Sequence, residues 1–337
     1  MINYIYQLIS PRIFNIKYED ISIENKVLIK PNYLAICHAD QRYYLGNRAP
    51  EILKKKLPMA LIHEACGTVI YDDTNTFKEG QKVVMIPNAP TRKDDIISEN
   101  YDRESHFLSS GYDGFLREIV DLVPDRVVPY EKTKDSIAAI SEFISVAVHS
   151  VSRFKKNSHE RKNEIAIWGD GSLSYTVACI LKIEFPDSRI TVVGRNIEKL
   201  NQFTFVDKTY LTDSIPDNFN MDHAFECCGG EGSYYAIDDI IKYINPQGTV
   251  MLMGVSENKI PIFTRNVLEK GLTIVGSSRS GKEDFKKTVE YLENTDLAQK
   301  IEKIVYVGGE VTNIKELNNI FADDLNTTFK TVFRWNV

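Results

Sequence analysis

The sequence predicts a two-domain α/β protein in which a mostly β, barrel-like domain accompanies a doubly wound parallel sheet. Three observations lead to this prediction. The chain has 337 residues, enough for about two domains of ordinary size. Up to about residue 150, short β-type runs alternate with Gly, Pro and Asn breaks. From Glu164 onward, apolar strand-like runs alternate with segments that have helical periodicity.

The first domain is predicted from runs rich in β-branched and aromatic residues, which favour strands. These runs are KVLIKPNYLAIC, GTVIYDD, QKVVMIPN and FLREIVDLVPDRVVPY. A charged stretch at 155–163 is typical of an exposed connection or of a solvated helix end. The tail, with KTVFRW, has strand character again and can rejoin the first domain. We therefore expect one domain at 1–148 and 295–337, and a second domain at 149–294.

The second domain is predicted from its repeating strand and helix pattern. EIAIW is a short apolar strand, after which Leu173, Val177 and Leu181 recur at helical spacing. Further apolar runs are RITVVG, MDHAFECC, GTVMLMGV and LTIVGSS, and further helical patterns are GSYYAIDDIIKYI and 283–294. Near-continuous apolar strands indicate a parallel sheet covered by helices on both faces.

Composition and charge exclude several classes of protein. A net charge of −6, with 43% hydrophobic and 26% charged residues, argues against nucleic-acid and anionic-membrane binding, which need a basic face. No apolar run approaches the ~20 residues that span a bilayer, and the N-terminus lacks the cationic start of a secretory signal. Five irregularly spaced cysteines do not form a disulfide framework. We expect a cytoplasmic protein.

A glycine motif lies between the first strand and the first helix of the second domain. In IWGDGSLSY, Gly169 and Gly171 allow a sharp turn and the close approach of a pyrophosphate. The helix then begins near Ser172 and Leu173, where free N–H groups favour anions. Ser174 replaces the third glycine of the usual motif, so an ordinary strand-to-helix turn remains an alternative for this motif alone. The surrounding pattern favours a Rossmann-type dinucleotide domain.

The end of the next strand indicates which dinucleotide binds. NAD-preferring domains usually place an acidic residue there to hold the ribose hydroxyls. Here the strand ends in VVGRN, without an acid. Gly194 leaves room for a 2′-phosphate, Arg195 can bond it, and Lys199 lies one turn further. The alternative is that Arg195 is a solvated surface residue. We expect NADP(H).

A candidate metal site is indicated by two segments of the first domain. Cys37 in AICHADQRYY and His63 in LIHEACG lie 26 residues apart. Cysteine, histidine and a carboxylate suit zinc, and three protein ligands leave one position open for a substrate. One cysteine and one histidine alone are more often a buried thiol and a structural imidazole.

The order of motifs resembles the zinc-dependent medium-chain dehydrogenase/reductase family across essentially the whole chain. The motifs are Cys-His-x-Asp at 37–40, His-Glu-x-x-Gly at 63–67, Gly-x-Lys-Val at 80–83 and Gly-Tyr-Asp-Gly-Phe at 111–115, followed by the dinucleotide fold. The resemblance implies a GroES-like catalytic domain beside the Rossmann-type domain. Within the family, the sequence is most similar to the ribulose-5-phosphate reductases, also called ribitol-5-phosphate 2-dehydrogenases. The segments with this similarity are YLAICHADQRYYLGNR, LIHEACG, IWGDGSLSY, HAFECCGG and LEKGLTIVGSSRSG.

The resemblance implies one catalytic zinc ion held by Cys37, His63 and Glu142, with Glu64 beside the metal or bound to it. Zn²⁺ with the thiolate of Cys37 and the carboxylate of Glu142 is formally neutral. Binding of Glu64 as well would make the site anionic and a weaker Lewis acid. A helix N-terminal acid stabilised by the dipole is the alternative interpretation of Glu142.

The sequence departs from the family pattern at two places. The segment 88–112, where many members carry four cysteines for a structural zinc, has no cysteine. We therefore expect no structural zinc. Ala39 follows Cys-His where many members have the Ser or Thr that relays the substrate proton. His38, Glu64 or a water on the metal are the remaining candidates for this relay.

The resemblance implies NADPH- and zinc-dependent reduction of D-ribulose 5-phosphate to D-ribitol 5-phosphate, which supplies CDP-ribitol for teichoic acid or capsule synthesis. An alternative within the same fold is an NAD-dependent polyol dehydrogenase that acts on sorbitol- or ribitol-type sugars. A nucleotide-sensing protein that has lost catalysis is an alternative of another class. The intact set of Cys37, His63, Glu64 and Glu142 argues against the latter.

An acidic chain needs local cations to bind a sugar phosphate. Arg42 and Arg48 directly follow the Cys37 segment, Tyr43 and Tyr44 can line the sugar, and Arg279 follows the last strand of the dinucleotide domain. Any of these arginines can instead be an ordinary surface cation. The family resemblance also implies a homodimer or homotetramer, and the pathway implies a cytidylyltransferase that takes up the product.

Overall fold

The computed structural model describes residues 1–337, and the chain divides into two units. The first unit comprises Met1–Ser145 and Ser280–Val337, and the second comprises Val146–Arg279. The strands are β1 Ile2–Ser10, β2 Ile13–Asp20, β3 Val27–Ile36, β4 Met59–Ala60, β5 Glu64–Asp72, β6 Lys82–Met85, β7 Asn88–Ala89, β8 His106–Phe107, β9 Val120–Leu122, β10 Val127–Pro129, β11 Glu164–Trp168, β12 Arg189–Gly194, β13 Lys208–Leu211, β14 His223–Glu226, β15 Thr249–Leu252, β16 Thr273–Gly276, β17 Val305–Val311 and β18 Lys330–Trp335.

The helices separate and cover these strands. They are α1 His38–Tyr44, α2 Pro50–Lys56, α3 Asp135–Ala138, α4 Ser141–Asn157, α5 Ser172–Glu184, α6 Ile197–Leu200, α7 Gly232–Tyr243, α8 Thr264–Lys270, α9 Lys282–Asn294, α10 Leu297–Glu302 and α11 Ile314–Asp324. None of them combines the length and the apolar character that crossing a bilayer requires.

The first unit is built from mostly antiparallel sheets, as the sequence predicts. One sheet has the order β2-β1-β4, and a seven-stranded sheet has the order β10-β6-β5-β3-β18-β17, with β9 also paired to β3. Strand β18 contains KTVFRW and pairs antiparallel with β3, with Phe333 opposite Leu34. Both of these side chains are fully buried in the core of this unit. The C-terminal tail therefore rejoins the first domain.

The second unit contains a six-stranded parallel sheet with the order β13-β12-β11-β14-β15-β16. The strand order reverses between β11 and β14, which is the arrangement of the Rossmann fold. Its central strands are apolar and buried because helices cover both faces of such a sheet. The predicted α/β class, with a barrel-like β domain and a Rossmann-type domain, is confirmed.

The division between the units differs from the boundaries expected from the sequence. The expected dinucleotide domain, 149–294, includes α9, but α9 belongs to the first unit. Two contacts explain this: the backbone N–H of Lys282 donates to Glu99 at 2.7 Å, and Glu293 accepts from the backbone N–H of Lys132 at 2.7 Å. An amphipathic pattern shows that a helix exists but not which core its apolar face joins.

Candidate active site

Three of the predicted metal ligands lie together in the first unit. One ligand atom each from Cys37, His63 and Glu64 lies within 4.8 Å of the other two. Cys37 directly follows β3, and His63 directly precedes β5. Because β3 and β5 pair antiparallel, with Ala35 opposite Glu64, the end of the first strand meets the start of the second. Pairing of these strands thus unites two segments that are distant in sequence.

The donor atoms fit a zinc ion. A thiolate, an imidazole nitrogen and a carboxylate oxygen are ordinary zinc ligands. His63 and Glu64 are buried, and Oε2 of Glu64 has no hydrogen-bond partner in the protein. Burial disfavours a charged imidazole, yet Asp40 and Cys37 raise the pKa of His63 well above its usual value. This local excess of negative charge attracts a cation.

Glu142 lies beside this group in the first turn of α4. Its Oε2 is 4.0 Å from Nε2 of His63, and its side chain is buried. Burial raises the pKa of Glu142 to about 7, although the neighbouring His63 opposes the shift. The carboxylate therefore faces the three clustered ligands without belonging to their tight group.

Asp40 connects the segments that contain the metal ligands, a role that the sequence motif alone does not reveal. Its Oδ1 accepts hydrogen bonds from the backbone N–H of Ile62 at 3.0 Å and from Oγ of Ser109 at 2.8 Å. Its Oδ2 accepts from the backbone N–H of Cys37 at 3.1 Å. Oδ1 also lies 3.8 Å from Nδ1 of His63. The motif Cys-His-x-Asp places this aspartate three residues after Cys37, close enough to accept from the backbone N–H of Cys37. A buried aspartate needs several such donors.

Ile62 has a left-handed backbone, with φ of 70°, immediately before His63. This conformation is costly for a β-branched residue and persists where surrounding contacts enforce it. The bond from its N–H to Asp40 and the bond of 2.7 Å from Phe115 N–H to its carbonyl hold it in place. The unusual backbone of Ile62 thus determines the orientation of His63, the next residue.

Lys330 is the second residue that the sequence analysis missed. Its Nζ donates to Oε1 of Glu64 at 2.6 Å and to the carbonyl of Ile36 at 3.1 Å, and it lies 4.7 Å from the ring centroid of Phe143. Burial disfavours its charge, but Glu64 and Cys37 raise the pKa of Lys330 above its usual value. The lysine is 266 residues from Glu64, and no sequence pattern connects the two.

The other predicted site residues of the first unit have different surroundings. His38 is the first residue of α1 and is exposed, outside the three-ligand group. Tyr43 is buried, and the guanidinium carbon of Arg48 lies 4.7 Å from its ring centroid. Burial and the charge of Arg48 lower the pKa of Arg42. Arg48 therefore lies over a buried aromatic ring.

A cavity of about 550 Å³ in the second unit contains most of the predicted cofactor residues. These lining residues are Gly169, Gly171, Gly194, Arg195 and Lys199. Cys228 and Asp239 also line it and were not predicted. Ser172 and Leu173 do not line the cavity but start α5, whose first N–H groups have no acceptor within the helix. Arg279 ends this unit with a left-handed backbone, φ of 56°.

Gly169 is required by its backbone and its surroundings. Its φ is 128°, and a Cβ atom there would lie 2.5 Å from Oγ of Ser174 and 3.0 Å from the carbonyl of Cys227. Ser174, which replaces the third glycine of the motif, is fully buried against it. The tight packing of strand and helix is therefore kept although the third glycine is absent.

Asp170, the middle residue of Gly-Asp-Gly, reaches the end of β12. Its Oδ2 accepts from the backbone N–H groups of Arg195 at 2.7 Å and Asn196 at 2.8 Å. A Cβ atom on Gly194 would lie 2.6 Å from Cβ of Asp170. The glycine at the end of β12 therefore accommodates a carboxylate from the neighbouring loop, which the sequence analysis did not foresee.

Family models match both parts of the chain. Residues 23–132 match the model "Alcohol dehydrogenase GroES-like domain", and residues 189–294 match the model "Zinc-binding dehydrogenase". A protein of Streptococcus pneumoniae named ribulose-5-phosphate reductase is 53% identical over 100% of this chain and 98% of its own length. The chain belongs to the zinc-dependent medium-chain dehydrogenase/reductase family.

Further relatives of this dehydrogenase match it along its whole length. The ribulose-5-phosphate reductase of Bacillus spizizenii is 45% identical, with 100% of both chains covered. The crystal structure of S. aureus TarJ in complex with NADPH superimposes with a TM-score of 0.90, at 41% identity and with 100% of both chains covered. The similarity therefore includes both units of the dehydrogenase, together with the segments that contain its metal-ligand group and its dinucleotide cavity.

Proposed function

We propose that this dehydrogenase uses NADPH to reduce the C2 ketone of D-ribulose 5-phosphate, which gives D-ribitol 5-phosphate. The group of Cys37, His63 and Glu64 is the observation that carries the proposal, because it provides the ligands for a catalytic zinc ion. Relatives with this substrate in their names are 45% and 53% identical along the whole chain, which supports the same substrate here.

Cys37, His63 and Glu64 would hold the zinc ion, with Glu142 beside them as an additional or exchanging ligand. This proposal exchanges the roles that the family resemblance implies for the two glutamates. A bound zinc ion supplies Lewis-acid polarisation of a ketone oxygen. The backbone N–H of Cys37 donates to Asp40, which holds this end of the strand in place. Oδ1 of Asp40 lies 3.8 Å from Nδ1 of His63, whereas Nε2 lies on the side of Glu142. Lys330 neutralises one carboxylate of the group.

Reduction of a ketone also consumes a proton, and the chain must deliver it. Ala39 has no hydroxyl group for this purpose. His38 is exposed and can exchange a proton with solvent, and Glu64 has a buried carboxylate oxygen without a hydrogen-bond partner. These two side chains and a water on the zinc ion are the candidates for the proton transfer. The pH profile of kcat in His38→Gln tests His38. If His38 relays the proton, the change of kcat with pH that its ionisation causes disappears in this variant; otherwise the profile remains that of the parent.

The dinucleotide cavity supports the choice of NADPH. The turn of Gly169 and Gly171 and the start of α5 suit a pyrophosphate. Arg195 and Lys199 add two cations to the same cavity, where they can bind a 2′-phosphate. The carboxylate of Asp170 is occupied by two backbone N–H groups. The S. aureus relative was crystallised with NADPH, which agrees with this choice.

An activity assay of the purified chain tests the proposal. Ribulose 5-phosphate and ribulose are compared, each with NADPH and NADH, before and after chelation and after zinc is restored. We expect turnover with the phosphate and NADPH that is lost on chelation and returns with zinc. Equal or better turnover of unphosphorylated sugars with NAD(H) would favour the polyol dehydrogenase. NADPH binding without any turnover would favour a nucleotide-sensing protein.

The second unit also supports a homodimer formed through β16. This strand lies at the edge of the six-stranded sheet, and the preceding α8 has no buried residue. Phe263 and Leu268 are 55% and 79% exposed, and a partner subunit on this edge would cover them. Light scattering of the parent and of Leu268→Glu tests this assembly. A parent chain of monomer mass would contradict it.

The substrate and cofactor place the reaction among soluble metabolites. We propose that the dehydrogenase is cytoplasmic and that a cytidylyltransferase takes up its product to form CDP-ribitol for teichoic acid or capsule synthesis. A coupled assay with CTP and such an enzyme tests this link, since CDP-ribitol should form only when the dehydrogenase, ribulose 5-phosphate and NADPH are all present.

A further inference from the structure

Two cations lie against the ring of Tyr43 in the first unit. The guanidinium carbon of Arg48 is 4.7 Å from the ring centroid, and Nζ of Lys56 is 5.9 Å from it. We call Arg48 and Lys56 the cation pair. Lys56 also donates to the neutral hydroxyl of Ser110 at 2.8 Å. The phenol ring is 2% exposed, so it provides a fixed base for both cations.

The surroundings concentrate positive charge at this place. Arg42 is a further cation of the segment between Cys37 and Arg48, and burial together with the charge of Arg48 lowers its pKa. Lys56 is half-buried, whereas Lys54 and Lys55 on the same helix are exposed. An anion bound between Arg48 and Lys56 would be attracted by both charges.

Helix α1 connects the cation pair to the metal-ligand group. Asp40 and Tyr43 are three residues apart on this helix and therefore lie on one face, about 5 Å apart along its axis. Asp40 contacts Cys37 and His63, whereas Tyr43 contacts the cation pair.

The turn at 107–110 also connects the metal-ligand group to the cation pair. The ring of Phe107 lies 5.4 Å from the ring of His63, and Ser109 donates to Asp40 at 2.8 Å. The next residue, Ser110, accepts from Lys56. The metal-ligand group and the cation pair are therefore neighbouring parts of one site within the first unit.

We infer that the cation pair is the subsite for the phosphate monoester of the substrate, an inference that rests on the proposed function. In ribulose 5-phosphate, C3, C4, C5 and the ester oxygen separate the ketone carbon from the phosphorus. This spacer allows the ketone and the phosphate to contact two different parts of the site at the same time. The planar guanidinium of Arg48 suits two phosphate oxygens at once, and Lys56 adds a point charge. Ser110 holds Lys56 in position.

Kinetics of single variants of the holoenzyme test this inference. Arg48→Gln and Lys56→Gln are compared with Lys54→Gln, which removes the same charge from an exposed position of the same helix. Saturating NADPH is used, with ribulose 5-phosphate and ribulose as substrates. We expect Arg48→Gln and Lys56→Gln to raise KM for the phosphate roughly ten- to hundredfold, with little change in kcat/KM for ribulose. Lys54→Gln and the conservative variant Lys56→Arg should resemble the parent.

Inorganic phosphate provides a second measurement that does not depend on turnover of the phosphorylated sugar. As a competitive inhibitor of ribulose reduction, it should weaken roughly tenfold or more in Lys56→Gln and not in Lys54→Gln. Circular dichroism and the melting temperature of each variant verify that the first unit is folded, and NADPH binding does the same for the second.

The results separate the two proposals. If the parent prefers the phosphorylated sugar while the variants of the cation pair keep the parent KM for it, the inference is wrong and the proposed function stands. If the parent uses ribulose as well as its phosphate, the proposed function fails and the subsite fails with it. A loss of activity with both sugars, in variants that still bind NADPH, would show a structural role and also overturn the inference.

Discussion

Nζ of Lys330 lies 2.6 Å from Oε1 of Glu64, and both side chains are buried beside the candidate metal ligands. The pair joins the last strand of the chain to β5 across 266 residues. A buried carboxylate that loses its partner is strongly destabilising because its charge remains without compensation. The charge of Glu64 is therefore compensated only when the C-terminal strand β18 is in place in the first domain.

We predict that Lys330→Met lowers the free energy of unfolding of the metal-depleted protein by about 3–5 kcal/mol, the range for breaking a buried ion pair. Lys330→Arg should lose less, since it retains the charge. Urea unfolding measures the difference, with the exposed Lys303→Met as the matched control. An equal stability of Lys330→Met and Lys303→Met would show that the ion pair does not contribute.

Removal of the thiolate should remove the metal but not the fold. Cys37 lies at the end of β3 and is only half-buried, whereas the apolar core of the unit consists of other residues. We predict that Cys37→Ser loses most of its zinc and activity while its circular dichroism remains that of the parent. The parent should contain one zinc ion per chain. Two zinc ions per chain, or an active preparation with none, would contradict the assignment.

The cations of the dinucleotide cavity should discriminate between NADPH and NADH. Arg195→Ala and Lys199→Gln each remove a charge that lines the cavity. We predict that KM for NADPH rises roughly tenfold or more in at least the Arg195 variant, since a charged hydrogen bond contributes about 1.5–3 kcal/mol. KM for NADH should change little. Lys208→Gln, on the neighbouring exposed part of β13, is the control. Equal losses with both nucleotides would place the discriminating contact elsewhere.

The same cavity shows why a substitution suggested by the sequence alone is unsuitable. An acid at Gly194 is expected to favour NADH, because it repels a 2′-phosphate. However, a Cβ atom at this position lies 2.6 Å from Cβ of Asp170. We predict that Gly194→Asp lowers the melting temperature as well as NADPH affinity. A variant with the parent melting temperature would show that the loop of Asp170 can shift to make room for the new side chain without loss of stability.

The sequence could predict those parts of the site that lie in local motifs. Cys37, His63 and Glu64 occur at strand ends in two recognisable segments, and antiparallel pairing of the strands brings these ends together. The glycines of the dinucleotide turn were likewise predictable, because the strand-turn-helix pattern surrounds them. In both cases a short segment contains the chemistry and a regular element positions it.

Features that depend on tertiary contacts could not be predicted in this way. Lys330 reaches Glu64 only because β18 pairs with β3, and the alternation of KTVFRW does not state which strand is its partner. The membership of α9 in the first unit rests on hydrogen bonds to Glu99 and from Lys132. The role of Asp170 depends on a side chain that crosses from one strand end to the next.

The pH dependence of stability should contain a contribution from His223, a fully buried residue of β14. Its Nδ1 accepts from the backbone N–H of Thr249 at 3.0 Å, so Nε2 carries the proton and faces the carbonyl of Arg161 at 3.0 Å. The neutral ring therefore satisfies both nitrogens, and a second proton would break the bond to Thr249. Burial, with smaller contributions that include the charge of His159, lowers the pKa of His223 to about 4.

In the unfolded chain His223 should titrate near its ordinary pKa of about 6.5. Between these two values only the unfolded state binds the proton, so the stability present above pH ~6.5 declines as the pH falls towards about 4. The full decline amounts to about 3 kcal/mol, since each pKa unit corresponds to about 1.4 kcal/mol.

We predict that His223→Gln is less stable than the parent at pH 7 but that its stability depends less steeply on pH between about 4 and 6.5. Urea unfolding of the full chain at several pH values measures both effects. His159→Gln, which removes the neighbouring ring 4.3 Å away, should keep most of the parent slope because burial is the main cause of the shift. Identical slopes for the parent and His223→Gln would show that other groups determine the acid sensitivity of the protein.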